Sequence, residues 1–258
     1  MSADLESQVL AKTWFYRFEL PSGALTQRYE DGAFDAIHDT RLRMLDGALA
    51  QAFPAGVDGR RAVDLACHQG YFSLQLAQRG FAEVTAVDAR ADHIADVELI
   101  AAACGQTRVR PHQSDVHRID PAAIGAPFDL VLCFGLLYHL EDPIGALRQA
   151  RALCKDLCVV ETQVVPNMSG NVDWGSYRFV KPLQGVFGII DETWETHGKE
   201  ASVTGICLAP STEGLLWIMR KVGFVDVQLL ACPDDGYEQL RFGKRVMVSG
   251  RVPSEASA

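Results

Sequence analysis

The sequence predicts an α/β fold: a doubly wound, mostly parallel sheet of seven strands. Three observations predict it. Short apolar runs alternate with amphipathic helical stretches through the middle of the chain, the pattern of strand–helix–strand crossovers. One of those runs, Ala62–Ala66, passes through a tight turn straight into a helix. The length of 258 residues and the 48% hydrophobic content suit one large α/β domain or two small ones, with a substantial core either way.

The elements follow in order. Ala62–Ala66 reads as a buried strand, and the helix after it runs over Tyr71–Gln78 until Gly80 stops it. Val84–Val87 is the second strand. Ile94, Val97, Ala101 and Cys104 then recur at spacings of three and four, the mark of an amphipathic helix ending at Gly105. Val109 opens a short third strand, and Phe128–Phe134 is a very apolar fourth. Asp142-Pro143 starts a helix, with Asp as N-cap and Pro in the first turn. Leu157–Val160 is the fifth strand. Ser211 caps a helix with Leu215, Ile218, Met219 and Val222 on one face, closed by Gly223. Val225–Leu229 and Arg245–Val252 are the last two strands, joined by a long loop.

Two segments stand outside the alternation. Residues 1–57 hold an aromatic stretch, Trp14-Phe15-Tyr16, and a helical pattern from Asp35 to Phe53. Residues 162–210 interrupt the chain after the fifth strand, and a loop that long inside a compact domain is usually functional. We read 1–57 as a cover or lid and 58–258 as the main domain, with a lid insertion at 162–210. Both lie over the sheet's C-terminal edge, where open α/β sheets bind ligands.

Composition excludes several classes. The apolar fraction rules out a disordered chain. The longest apolar runs, such as Leu130–Phe134, fall far short of the roughly 20 residues of a spanning helix. The N-terminus lacks a basic, apolar leader pattern, so a cytoplasmic location is expected. The seven cysteines are scattered without a C-x-x-C pair, so reduced thiols are expected rather than disulfides or zinc. No H-x-x-x-H or Asp-Asp pair follows the fifth strand, and no metal is expected. The net charge of −9 argues against a nucleic-acid grip over the whole surface. The composition leaves a homodimer open.

The informative stretch is Asp64-Leu65-Ala66-Cys67-His68-Gln69-Gly70, a strand end turning into a helix. It lacks the glycines of a dinucleotide fingerprint and the lysine of a phosphate loop. An acid at the strand end repels phosphate and suits a cationic ligand. This stretch resembles the first motif, D-x-G-C-G-x-G, of class I S-adenosylmethionine-dependent methyltransferases. Ala66 and His68 replace its first two glycines, so the turn must either take φ/ψ values that Ala and His tolerate or carry strain at His68. The resemblance extends over about residues 60–160. It implies a Rossmann-like fold with an antiparallel last strand and S-adenosyl-L-methionine as cofactor, with Asp64, Ala66, His68 and Gly70 among the residues that bind it. It implies Asp88, followed by Ala89, on the ribose hydroxyls. It implies Asp115 and Val116 toward the adenine, and Phe134 at the end of the fourth strand.

Within that class the chain is similar to bacterial tRNA wobble-uridine carboxymethyl-transferring enzymes, through Leu137-Tyr138-His139, Asp142-Pro143 and Val159-Val160-Glu161-Thr162. Those relatives carry an Arg after Tyr-His that helps hold a carboxylated cofactor. Leu140 stands there in this chain, which implies ordinary S-adenosylmethionine.

The expected chemistry is in-line methyl transfer to a small-molecule acceptor, with an oxygen nucleophile and a positioned base. His139 is the first candidate base because imidazole titrates near neutral pH. Glu161 is the second, and Tyr138 packs or hydrogen-bonds beside the cofactor. The cover supplies Trp14, Tyr16, Tyr29, His38 and Arg41. The insertion supplies Trp174, Tyr177, Arg178, His197 and Asp191-Glu192. Aromatic walls with one or two Arg suit a planar or acidic molecule. The alternatives are an RNA-modifying methyltransferase and a non-catalytic protein that binds S-adenosylmethionine.

Overall fold

The computed structural model describes residues 2–29, 33–172, 181–193, 195, 202 and 204–253. Its helices and strands are α1 (Ser2–Leu10), α2 (Ala33–Ala52), β1 (Arg61–Leu65), α3 (Tyr71–Gln78), β2 (Glu83–Asp88), α4 (Ala91–Ala103), β3 (Val109–Gln113), β4 (Phe128–Phe134), α5 (Pro143–Leu153) and β5 (Cys154–Gln163). There follow β6 (Phe187–Asp191), β7 (Ile206–Pro210), α6 (Thr212–Lys221), β8 (Val225–Leu229), α7 (Glu238–Arg241) and β9 (Arg245–Arg251). Seven of the strands form one sheet in the order β8-β9-β5-β4-β1-β2-β3. The five strands from β5 to β3 in that order are parallel, and β9 runs antiparallel between β5 and β8. The direction of strand order reverses between β1 and β4, so a crevice opens at their C-terminal ends.

Both faces of the sheet are covered, and the side-chain period of two sorts β4 between them. Leu130, Leu132 and Phe134 face one core with α2, α3 and α4, and Val131 and Cys133 face the other with α5 and α6. The expected caps hold. Asp142 accepts from the Gly145 N–H at 2.7 Å and Ser211 from the Gly214 N–H at 3.2 Å. No helix among the described residues is long and apolar enough to cross a membrane.

Four details differ from the sequence reading. The strand after α5 begins at Cys154 and reaches Gln163, because it is paired on both sides, with β4 and with Arg245–Arg251 of β9. The insertion holds a β6–β7 hairpin, hidden in the sequence because exposed Ile189 breaks a clean in–out alternation. A single turn, α7, forms in the expected loop. The N-terminus is helical over α1, whose apolar residues Leu5 and Val9 are too few to mark it.

Nor is the N-terminal cover a loose flap. Trp14 is fully buried, its indole N–H donates to the Val9 carbonyl at 2.9 Å, and it shares a core with α3 and α4. Lys12 pairs with Asp96 of α4, and the Phe15 N–H donates to Gln69 Oε1 at 2.8 Å. Trp14→Ala should therefore destabilise the whole domain by about 3–5 kcal/mol, the usual range for a buried Trp. Denaturant unfolding should show one cooperative transition at a lower midpoint; an added early transition would make the cover a separate unit.

Candidate active site

The turn after β1 adopts the conformation the missing glycines would favour. Ala66 and His68 have φ of 57° and 51°, and Gly70 has φ of 81°. Left-handed backbone at L-residues costs about 1–2 kcal/mol each, so the surroundings must hold it. They do so through the neighbouring strand. The Cys67 N–H donates to the Val87 carbonyl at 2.9 Å, and the His68 N–H donates to Asp88 Oδ2 at 2.9 Å. Gly70 is constrained by packing, because a Cβ there would meet Val97 Cγ2 at 3.0 Å.

Asp88 ends β2 and is buried. Its Oδ1 accepts from the Arg90 N–H at 2.9 Å and contacts His93 Nδ1 at 3.2 Å, and its Oδ2 accepts from His68. Burial alone would raise its pKa; His93 and the two backbone N–H groups outweigh burial and hold the carboxyl below its ordinary value. A carboxylate has about four acceptor positions. Oδ1 is full and Oδ2 keeps one, so Asp88 can take one further O–H donor rather than the expected two.

Asp64 plays a different part. Its Oδ2 accepts from Ser73 Oγ at 2.7 Å, which ties β1 to α3. Burial raises its pKa to about 7, with Ser73 opposing and Asp88 adding. Asp115 caps the short turn that follows β3. Its Oδ1 accepts from the His117 N–H at 2.8 Å, which leaves Oδ2 as an acceptor.

A cleft of about 510 Å³ opens over these strand ends. Ala66, His68, Asp88, Ala89, Asp115, Val116 and His139 line it, as does Leu140. Asp64, Gly70, Phe134, Tyr138 and Glu161 are not among its lining residues. Phe134 packs edge-on against Phe72 at 5.1 Å, in the core.

The two candidate bases sit in different surroundings. His139 Nδ1 lies 2.7 Å from Glu192 Oε2. Glu192 is almost fully buried just after β6, and the same oxygen accepts from the Ser202 N–H at 2.8 Å. Glu161 is fully buried near the end of β5 between two guanidiniums. Arg41 Nη2 is 2.7 Å from its Oε2 and Arg245 Nη1 is 3.2 Å from its Oε1. Arg245 Nη2 also donates to Tyr138 Oη at 3.0 Å. Glu161 is thereby committed as an acceptor, whereas the His139–carboxylate pair stands at the cleft. Such a pair fixes the imidazole with Nδ1–H toward the acid and makes Nε2 the basic nitrogen.

His68 separates two neighbourhoods. Its ring lies 4.0 Å from His93 on the Asp88 side, and 5.1 and 5.5 Å from Phe15 and Tyr16 of the cover. His38 and Tyr71 complete that aromatic group. Trp174, Tyr177, Arg178 and His197 lie outside the described residues. The sequence reading missed Arg245, whose signal was an Arg opening an otherwise apolar strand. It named Glu192 but not its pairing, which spans 53 positions.

A family profile described as Methyltransferase domain matches residues 36–229. The ubiquinone biosynthesis O-methyltransferase of Sodalis glossinidius is 26% identical over 180 residues, covering 63% of this chain and 70% of that protein. The tRNA U34 carboxymethyltransferase of Trichodesmium erythraeum is 27% identical over 114 residues, covering 43% and 34%. Most of the curated relatives are matched over about half their length. The solved N-terminal domain of EvdMO1, with SAH bound, superposes with a TM-score of 0.67 at 21% identity, covering 98% of this chain and 95% of that one. At that identity the likeness speaks to fold.

Asp64 gives this site a pH signature. Its folded pKa is raised, so between about pH 4 and about pH 7 the folded state keeps a proton that the unfolded chain has lost. Stability from this group therefore falls as pH rises through that window and levels off above it. Asp64→Asn lacks the effect, so its melting temperature relative to the wild type should climb between about pH 5 and about pH 8. A flat difference would place Asp64 outside the titration.

Proposed function

The chain belongs to the methyltransferase-domain family of S-adenosylmethionine-dependent enzymes; from that premise we propose that it methylates a small-molecule oxygen acceptor, with His139 as the base. The observation that carries the reading is the His139–Glu192 pair beside the cleft that Asp88 and Asp115 line. The residues present fit the donor. Asp88 is held ionised with one acceptor position left for a ribose hydroxyl, and Asp115 Oδ2 is an acceptor for the adenine amine. When bound, S-adenosylmethionine supplies a methyl group already activated as an electrophile by its sulfonium.

The chain's own work is then to position, to exclude water and to move one proton. The turn at Ala66–Gly70 places backbone beside the cofactor's tail. The cover and the β6–β7 hairpin close the acceptor side. His139 Nε2 takes the acceptor's proton as the oxygen attacks. Glu192 holds the imidazole in the tautomer that can do so and stabilises the imidazolium that results. Leu140, where the tRNA-modifying relatives carry an Arg, gives no partner for a carboxylated cofactor, so the donor is unmodified S-adenosylmethionine.

The ubiquinone O-methyltransferase relatives support a small-molecule oxygen acceptor. The tRNA U34 carboxymethyltransferase relatives favour a second reading, an RNA acceptor. The net charge of −9 weighs against it. A tRNA gel shift that weakens steeply with salt would turn the balance.

Asp88→Ala should weaken S-adenosylhomocysteine binding ten-fold or more, about 1.5–3 kcal/mol for a charge-assisted hydrogen bond, with the fold retained. Calorimetry reads this, and unchanged affinity removes Asp88 from the donor site. With methyl-labelled donor and a phenol or sugar acceptor found by screening, His139→Ala should lower turnover by about 10²–10⁴-fold at unchanged donor affinity. Glu192→Gln should give a smaller loss of the same kind. Unchanged turnover in His139→Ala would put the base elsewhere.

A further inference from the structure

A buried polar cluster lies behind Gly135, apart from the lining of the Asp88 cleft. Arg41 of α2 and Arg245 of β9, both less than one-tenth exposed, share the single carboxylate of Glu161. Two guanidiniums against one carboxylate leave the cluster one positive charge in excess. His38, one turn before Arg41, is 4% exposed and adds no counter-charge. Burial, then Arg41 and the other nearby cations, push its pKa down to about 2, so its imidazole is neutral.

Three polar atoms here have no hydrogen-bond partner among the described residues: Arg41 Nε and both ring nitrogens of His38. Leaving a buried polar group unpaired costs about 1–3 kcal/mol, and native interiors do so rarely. Three at one place mark a site that completes its hydrogen bonding with something else. The way in is Gly135, which lines the cleft. A Cβ there would sit 3.8 Å from both Arg41 Nη2 and Tyr138 Oη, so no side chain separates cleft from cluster. The walls next to His38 are flat, with Tyr16 at 4.8 Å and Tyr71 at 5.6 Å between ring centres.

We infer that Arg41 and His38 receive a carboxylate of the methyl acceptor, held in place by Glu161 and Arg245, so that the acceptor is a planar organic acid. This rests on the proposed methyl transfer and deepens it by naming the acceptor class. The excess charge calls for an anion, and a guanidinium fork matches a carboxylate in shape as well as charge. The same group sits on the donor's amino-acid tail. Location favours the acceptor: Arg245 of the cluster donates to Tyr138 Oη, and the Tyr138 ring lies 4.0 Å from that of His139, the proposed base. Glu161 and Arg245 are positioning residues in this scheme.

The test is calorimetry on the full chain, with and without S-adenosylhomocysteine. The probes are 4-hydroxybenzoate and indole-3-acetate, each against its neutral primary amide. At least one acid should bind ten-fold or more tighter than its amide. Arg41→Gln should abolish that gap, Arg41→Lys should retain part of it, and Glu161→Gln should widen it by removing the competing carboxylate. S-adenosylhomocysteine affinity should stay within about two-fold in all three, as should that of 5′-methylthioadenosine, which lacks the amino-acid tail. Equal binding of acids and amides, or none of either, overturns the proposal. It is also overturned if Arg41→Gln weakens S-adenosylhomocysteine but spares methylthioadenosine, since the cluster then serves the donor. If Arg41→Gln does not fold, the Glu161→Gln gap decides, and a gap that fails to widen overturns the proposal. A chain that ignores S-adenosylhomocysteine yet discriminates the acids keeps the anion site and loses the methyltransferase reading.

Discussion

The Asp88 carboxylate joins three pieces of chain that sequence alone leaves independent. It accepts the His68 N–H from the turn after β1, the Arg90 N–H at the start of α4, and the His93 ring one turn further on. Left-handed backbone at Ala66 and His68 is unfavourable in isolation, and this carboxylate, with the Val87 carbonyl on Cys67, makes the turn settle there. The same bonds keep Asp88 ionised against its burial. One group therefore shapes the turn after β1 and also lines the cleft. Asp64, two residues before Ala66, has its pKa moved the opposite way because burial dominates and, among the described residues, Ser73 alone donates to it from a side chain.

The acceptor side divides its two carboxylates by their partners. Glu192 faces one imidazole, that of His139 at the cleft. Glu161 faces two guanidiniums and is spent on holding them. Burying such a charged group is expensive and gives little net stability even when well paired, so its value lies in fixing geometry. The N-terminal cover supplies Arg41 and His38 to this arrangement from within the main core, through Trp14 and α2. Rigid packing is what lets a helix some 120 positions away in sequence present a guanidinium to a strand end.

The periodicities of residues 60–160 determined the parallel sheet and the order of its helices, and local residue chemistry the caps at Asp142 and Ser211, since these depend only on spacing and on near neighbours. The acids at positions 64, 88 and 115 were legible because each ends a strand or begins a turn. Their division of labour was not. Asp64 and Asp88 look alike in sequence, and only the donors brought to them from α3, α4 and the β1 turn set one pKa high and the other low. His139 and Glu161 likewise stood at adjacent strand ends with nothing to choose between them. Tertiary structure gives them different surroundings by bringing Glu192 to one and Arg41 with Arg245 to the other, contacts spanning 53, 120 and 84 positions. A role that rests on which charge is nearest in space has no local signal, because the partners are selected by the packing of the whole sheet and its cover.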